Sequence, residues 1–145
     1  MKVLGLDVGE KRIGVAVSDA LGLIAQGITV LQRRDLEYDL RQLQRLVKET
    51  DVSQVVVGIP KNMDGSLGEG AKMVLLFVEQ MRDDLAIPVI LWDERWTTTQ
   101  ATRVLVEADL SRKKRRKVVD KLAAVLILQN YLDSGMHDTS GGDQA

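Results

Sequence analysis

The stretch Val3-Leu4-Gly5-Leu6-Asp7-Val8-Gly9 is an apolar run interrupted near its end by an acid and closed by a glycine. Such a run reads as a strand buried on both faces. An ionisable group at its end is costly unless something pairs with it. Two further sites place acids in comparable settings: Asp93-Glu94 follows the apolar Val89–Trp92, and Asp120 opens the apolar segment Leu122–Leu128. Three carboxylates, each at the margin of an apolar element, suggest a site for a divalent metal. On a small α/β domain such a site usually serves phosphate chemistry.

Working outward, residues 2–31 read as three strands: Lys2–Asp7, Gly14–Ser18 and Leu23–Leu31. Their connections are too short for a parallel crossover, so the neighbours are antiparallel. Leu36, Leu40, Leu43, Leu46 and Val47 recur at helical spacing and predict a helix over 36–49. Gln54–Gly58 is a β-branched buried strand. Ser66-Leu67-Gly68-Glu69 has capping-box spacing and predicts a helix over 67–84. Pro88–Trp92 is the next strand, and Thr97 and Thr98 cap another helix carrying Ala101, Val104, Leu105 and Ala108. A basic stretch over 111–117 reads as a loop, and residues 119–133 form a last helix, apolar nearly all round. The order is βββαβαβαα. A three-strand meander followed by two parallel strands, with helices on both faces, is the order of the ribonuclease H-like α/β fold.

A chain of 145 residues supplies one core. The expected organisation is a single domain over 1–134 and a polar, Gly-rich, disordered tail over 135–145. The absence of cysteine excludes disulfides and thiolate–zinc sites. His137, the one histidine, falls in the tail, which argues against a hydrolase triad. No apolar stretch reaches the roughly 20 residues that span a bilayer, and no signal-peptide pattern opens the chain, so a cytoplasmic location is expected. The net charge of −1 gives no global attraction to nucleic acid, so local charge decides.

If Asp7, Glu94 and Asp120 ionise within about 4 Å of one another, each pair repels by about 4 kcal/mol at an effective dielectric near 20. Protonation of one carboxylate or binding of cations relieves this. Mg²⁺ and Mn²⁺ prefer such oxygen ligands. Asp120 alone is explained equally well as a helix-start acid, and the sequence does not say whether Asp93 or Glu94 points inward. Gly9 permits close backbone approach by a phosphate whose charge Lys11 or Arg12 would hold; a hairpin turn with solvated charges is the plainer account. Lys61 and Asn62, between the fourth strand and the second helix, are further substrate contacts, though a simple connecting loop explains them nearly as well. The six basic residues Arg112, Lys113, Lys114, Arg115, Arg116 and Lys117 stand directly before Asp120, which suits a polyanion. Few aromatics accompany them, and Trp96 reads as core cover rather than a base-stacking platform.

These residues resemble the YqgF-type (RuvX-type) family of Holliday junction resolvases and pre-16S rRNA processing nucleases. The resemblance covers residues 1 to about 133. Four blocks carry it in order: Gly5–Gly9 with Lys11–Ala16, Val57–Pro60, Asp93–Arg95 with Thr97-Thr98, and Asp120–Ala124 through Ile127–Gln129. It implies a ribonuclease H-like fold and Mg²⁺- or Mn²⁺-dependent phosphodiester cleavage. The acidic positions it implies are Asp7, Glu94 and Asp120, which selects Glu94 over Asp93. Trp96 and Asp109 depart from the family's usual residues without touching these acids. Processing of the 5′ end of pre-16S rRNA is favoured, with ribosomal subunit precursors as partners. Resolution of four-way DNA and a non-catalytic nucleic-acid-binding module are the alternatives. An actin- or Hsp70-like ATPase also carries Asp-x-Gly after a first strand, but needs two domains to enclose ATP.

Overall fold

Alternation along the first strand organises the molecule. In the computed structural model, which describes residues 1–96 and 112–135 and only the backbone of 96 and 112–120, Leu4, Leu6 and Val8 face one layer of helices, and Val3 and Gly5 face the other. The strands are β1 (Val3–Val8), β2 (Arg12–Ser18), β3 (Ala25–Gln32), β4 (Gln54–Ile59) and β5 (Val89–Asp93). They form one sheet in the order β3-β2-β1-β4-β5. β1–β2 and β2–β3 are antiparallel, and β1–β4 and β4–β5 are parallel. This is the mixed topology the sequence predicts.

Helices α1 (Leu36–Thr50) and α2 (Glu69–Asp84) cover the first face. There Leu43, Val74, Phe77, Val78 and Met81 pack on Leu4, Leu6, Val15, Val55 and Val57. Helix α3 (Arg112–Asp133) covers the second, where Ala124, Ile127, Leu128 and Tyr131 meet Val3, Ala16, Val56 and Trp92. Polar ties fix α3, among them the Trp92 indole N–H donating to Asn130 Oδ1 at 3.1 Å. The Tyr131 hydroxyl donates to Gln54 Oε1 at 2.8 Å, and Gln129 bonds to the backbone of both Ala25 and Leu23 at 2.9 Å.

Several local expectations differ from the structure, among them the start of β2, which begins at Arg12, two residues earlier than expected. The last helix begins at Arg112 rather than 119, so the basic stretch forms its first turns; Lys and Arg are good helix formers, and the helix extends back through them. The Ser66–Glu69 capping box does not form: α2 has Gly68 as its N-cap with no side-chain bond. The Ser66 hydroxyl is drawn instead into the preceding turn, donating to Asp64 Oδ1 at 2.6 Å and accepting from Asn62 Nδ2 at 2.9 Å. A local Asx-type bond of this kind competes with the cap. Finally, β3 runs over Ala25–Gln32, two residues later at its start than expected. The helix expected near 97–110, with Thr97, Thr98 and Asp109, lies outside the described residues, as does the tail from 136 with His137.

Helix α3 lies so close to the sheet that β1 and β4 each carry a glycine, Gly5 and Gly58, at the points of closest approach. A Cβ on Gly5 would stand 2.7 Å from Leu128 Cβ and 3.3 Å from the Ala124 carbonyl oxygen. Gly5→Ala is therefore expected to push the helix outward at a cost of about 1–3 kcal/mol. Chemical denaturation checks this, and unchanged stability would show that the helix is not seated there.

Candidate active site

Asp7 lies on β1 two residues beyond Gly5 and therefore shares the α3 face. It is half-buried, opposite Gly14 of β2. On its other side the parallel register Leu6↔Val57, extended one residue, brings Gly58 of β4 alongside. Gly58 pairs in turn with Trp92 of β5. β5 ends at Asp93, and Glu94 opens a single 3₁₀ turn, Glu94–Trp96. The two carboxylates thus stand at the C-terminal ends of β1 and β5, with β4 between them. Crevices at the carboxyl ends of parallel strands are where open α/β sheets bind ligands.

Gly58 makes this arrangement possible. A Cβ there would lie 3.0 Å from Glu94 Cγ and 2.5 Å from Ile127 Cδ1. The Glu94 side chain occupies that space, which places it over β4 on the face Asp7 shares. Helix α3 runs antiparallel to β1: Tyr131 is bonded to Gln54, the partner of Val3, whereas Ala124 lies over Gly5. Followed back by one more turn, about 5.4 Å, the helix carries position 120 toward the Asp7 end of the strand. The Asp120 side chain lies outside the described residues. Among those described, no three His, Asp or Glu side chains form a ligand group by themselves.

Asp93 serves elsewhere. It is 4% exposed, and its carboxylate takes a bidentate grip from Arg95, with Nη2 at 2.7 Å from Oδ2 and Nε at 3.1 Å from Oδ1. The Arg95 amide donates to Oδ1 at 2.9 Å, and Lys61 Nζ approaches Oδ2 to 3.8 Å. Arg95 also donates to the Met63 carbonyl at 3.3 Å, tying the β4–α2 connection to the end of β5. The Arg95 hydrogen bonds hold the Asp93 carboxyl below its ordinary 3.8, against the opposing push of burial. The same contacts raise Arg95.

The other expected contacts are spread around this edge. Gly9 and Arg12 close the β1–β2 turn through a 2.8 Å backbone bond, with Lys11 exposed at its tip and Arg12 half-buried. Lys61 is engaged with Asp93 and 31% exposed. Arg112, Lys113, Lys114, Arg115, Arg116 and Lys117 occupy the first turns of α3, before position 120, with their side chains outside the described residues. Two arginines to which the sequence assigns no role prove central. Arg95 stands out there only as a flank of the acids, although Asp-x-Arg is a signal. Arg33 closes β3 and holds the turn after Asp7, and nothing in its neighbours marks it.

A five-stranded mixed sheet with carboxylates at its strand ends and helices on both faces defines a ribonuclease H-like fold. The solved structures agree. Thermus thermophilus RuvC, in a complex with a Holliday junction substrate, superposes with a TM-score of 0.57 at 17% identity, over 94% of this chain and 97% of that one. The fowlpox virus Holliday junction resolvase gives 0.52 at 14% identity, over 92% and 99%. At these identities the likeness is one of fold. Residues 1–134 match the family model described as RuvX, Holliday junction resolvase. Relatives in Thermoanaerobacter pseudethanolicus and Caldanaerobacter subterraneus subsp. tengcongensis are 54% and 56% identical over 135 residues, covering 92% of this chain and 97% of each. Both bear a provisional pre-16S rRNA nuclease name. The chain belongs to the RuvX family.

The Asp93–Arg95 pair sets a pH dependence. Folded Asp93 binds its proton less tightly than the unfolded chain does, so its contribution to stability is complete above 3.8 and fades as pH falls through the lower folded value. Asp93→Asn is expected to lose about 1–3 kcal/mol near neutrality. That gap should close below pH 3.8. Denaturant unfolding of both proteins across the acid range reads it, and a gap independent of pH would deny the ion pair its stabilising role.

Proposed function

We propose that this protein is a metal-dependent nuclease that hydrolyses phosphodiester bonds, and that its task is processing of the 5′ end of pre-16S rRNA during ribosome assembly in the cytoplasm. One observation carries the reading: Asp7 and Glu94 share one face at the ends of β1 and β5, with α3 leading position 120 toward them. The family membership and the names of the relatives support the same reading. Residues 1–134 act as one catalytic domain.

The site fits Mg²⁺ or Mn²⁺. Its donors are carboxylate oxygens, the set such ions prefer, and Gly58 leaves open the space into which Glu94 leans. Asp7, Glu94 and Asp120 would hold the ions, which when bound supply a Lewis acid and an activated water for phosphodiester hydrolysis. The protein's own part is placement. Gly9 lets a phosphate approach the backbone, and Lys11 and Arg12 hold its charge beside Asp7. Arg112 through Lys117 lie on the turns of α3 that precede Asp120 and grip flanking phosphates of the strand. Lys61 adds a cation at the Glu94 side, where Arg95 already satisfies the Asp93 carboxylate.

Asp7→Asn is expected to lower cleavage of precursor rRNA by more than about 100-fold, beyond the loss typical of outer-shell metal-site changes. Its thermal stability and RNA affinity should stay near wild type. Matched reactions on precursor rRNA, single-stranded RNA and four-way DNA, with Mn²⁺ or EDTA, test the reading. Undiminished cleavage by the variant refutes the site assignment, and preference for four-way DNA replaces the rRNA role with junction resolution. Strong RNA binding without cleavage by the wild type would reduce the protein to a binding module.

Arg115→Ala with Arg116→Ala should weaken RNA binding for every sequence and lower the salt slope by about 0.7 for each phosphate no longer neutralised. Binding measured across a salt series checks this. An unchanged slope would place the docking surface elsewhere.

A further inference from the structure

Arg33 reaches from the end of β3 into the turn that follows Asp7. Its Nη1 donates to the Gly9 carbonyl at 2.9 Å, and its backbone amide donates to the Lys11 carbonyl at 2.9 Å. With the Gly9 amide bonded to the Arg12 carbonyl at 2.8 Å, the turn is closed from within and clamped from outside. The guanidinium is itself held on two more sides. Its Nε donates to Asp39 Oδ2 at 3.0 Å, and its central carbon Cζ lies over the Phe77 ring, 4.6 Å from the centroid.

Asp39, 3% exposed, spends its other oxygen on the Arg34 amide at 3.0 Å. Phe77 belongs to the core cluster that contains Leu6 and Val8, the neighbours of Asp7 in β1. The Arg33 side chain, only 15% exposed, therefore links the core, the first turn of α1 and the Gly9–Arg12 turn. A planar fork can meet Asp39 and Gly9 at once while lying over a ring; an ammonium is a point charge and cannot reproduce that geometry.

We propose that Arg33 is a positioning residue for the candidate active site: by holding the Gly9 carbonyl it fixes the turn that aims Asp7 and presents Lys11 and Arg12 to substrate. The proposal rests on the reading of the Asp7 edge as a nuclease site. A displacement of about 1 Å in such a frame is enough to cost about 100-fold in rate.

Arg33→Lys tests it, since it keeps a cation beside Asp39 and gives up the fork. The expected result is a kcat on precursor rRNA with Mn²⁺ reduced about 100-fold, with a much smaller rise in KM as Lys11 and Arg12 lose their placement. Amide exchange should accelerate selectively at residues 9–12. Arg82→Lys is the control, because Arg82 holds the Val89 carbonyl through Nε at 3.2 Å and Nη2 at 2.8 Å, at the end of β5 away from Glu94. It should cost comparable thermal stability and leave kcat unchanged. Equal kcat losses in both variants would reduce Arg33 to general structural support and overturn the proposal, as would wild-type exchange over 9–12 in Arg33→Lys. Should the wild type cleave none of the substrates while the turn still loosens in Arg33→Lys, the clamp is supported and the nuclease reading alone falls.

Discussion

The close seating of α3 on a sheet face that carries glycine at Gly5 and Gly58 is the constraint on which the remaining structure depends. Gly5 and Gly58 lie under Leu128 and Ile127, and the room they leave admits the helix on one side and Glu94 on the other. Buried apolar contacts supply the attraction, with Ala124, Ile127 and Leu128 fully enclosed. The Tyr131–Gln54 and Gln129–Ala25 bonds set the register of the helix along β1. That register determines how far the helix reaches toward the Asp7 end of the strand. A helix held further out would cover the same core and leave the strand ends remote from it.

Charge is handled in a matching way. Asp39 and Asp93 are both almost fully enclosed, and each is answered by an arginine at hydrogen-bond distance. Both pairs lie beside segments that approach the candidate site: Arg33 secures the turn after Asp7, and Arg95 secures the connection after β4. Buried pairs of this kind add little net stability over apolar packing, but they specify geometry, because breaking one leaves an unanswered charge in a poor dielectric. The fold thus uses its enclosed ion pairs as struts around an edge where half-buried acids gather.

Much of the fold was legible in the sequence because the signals are local. The continuous apolar runs of β1 and β4, the helical spacing of Leu36 through Val47 and the short links among the first three strands require no knowledge of distant contacts. Ambiguity remained where one residue type serves two structures. Ser66 satisfies a capping-box pattern, yet its hydroxyl found Asp64 and Asn62 nearer. Arg112 to Lys117 read as a loop from charge alone, whereas lysine and arginine extend a helix readily once its apolar half is docked.

By itself, the sequence determined the strand order, the mixed sheet and the positions of Asp7 and Asp93-Glu94 at strand ends, since these follow from periodicity and chain connectivity; Asp120, read as a helix-start acid, instead sits two turns inside α3. Tertiary structure decided which acids serve which partners. Asp93 and Glu94 are adjacent and chemically alike, and the strand end directs one to Arg95 and the other over Gly58. The Arg33 clamp joins residues from β3, α1, α2 and the first turn, and no local pattern encodes such a meeting. Side-chain partnership depends on distances set by the whole packed fold, and those exist only once the helices have settled on the sheet.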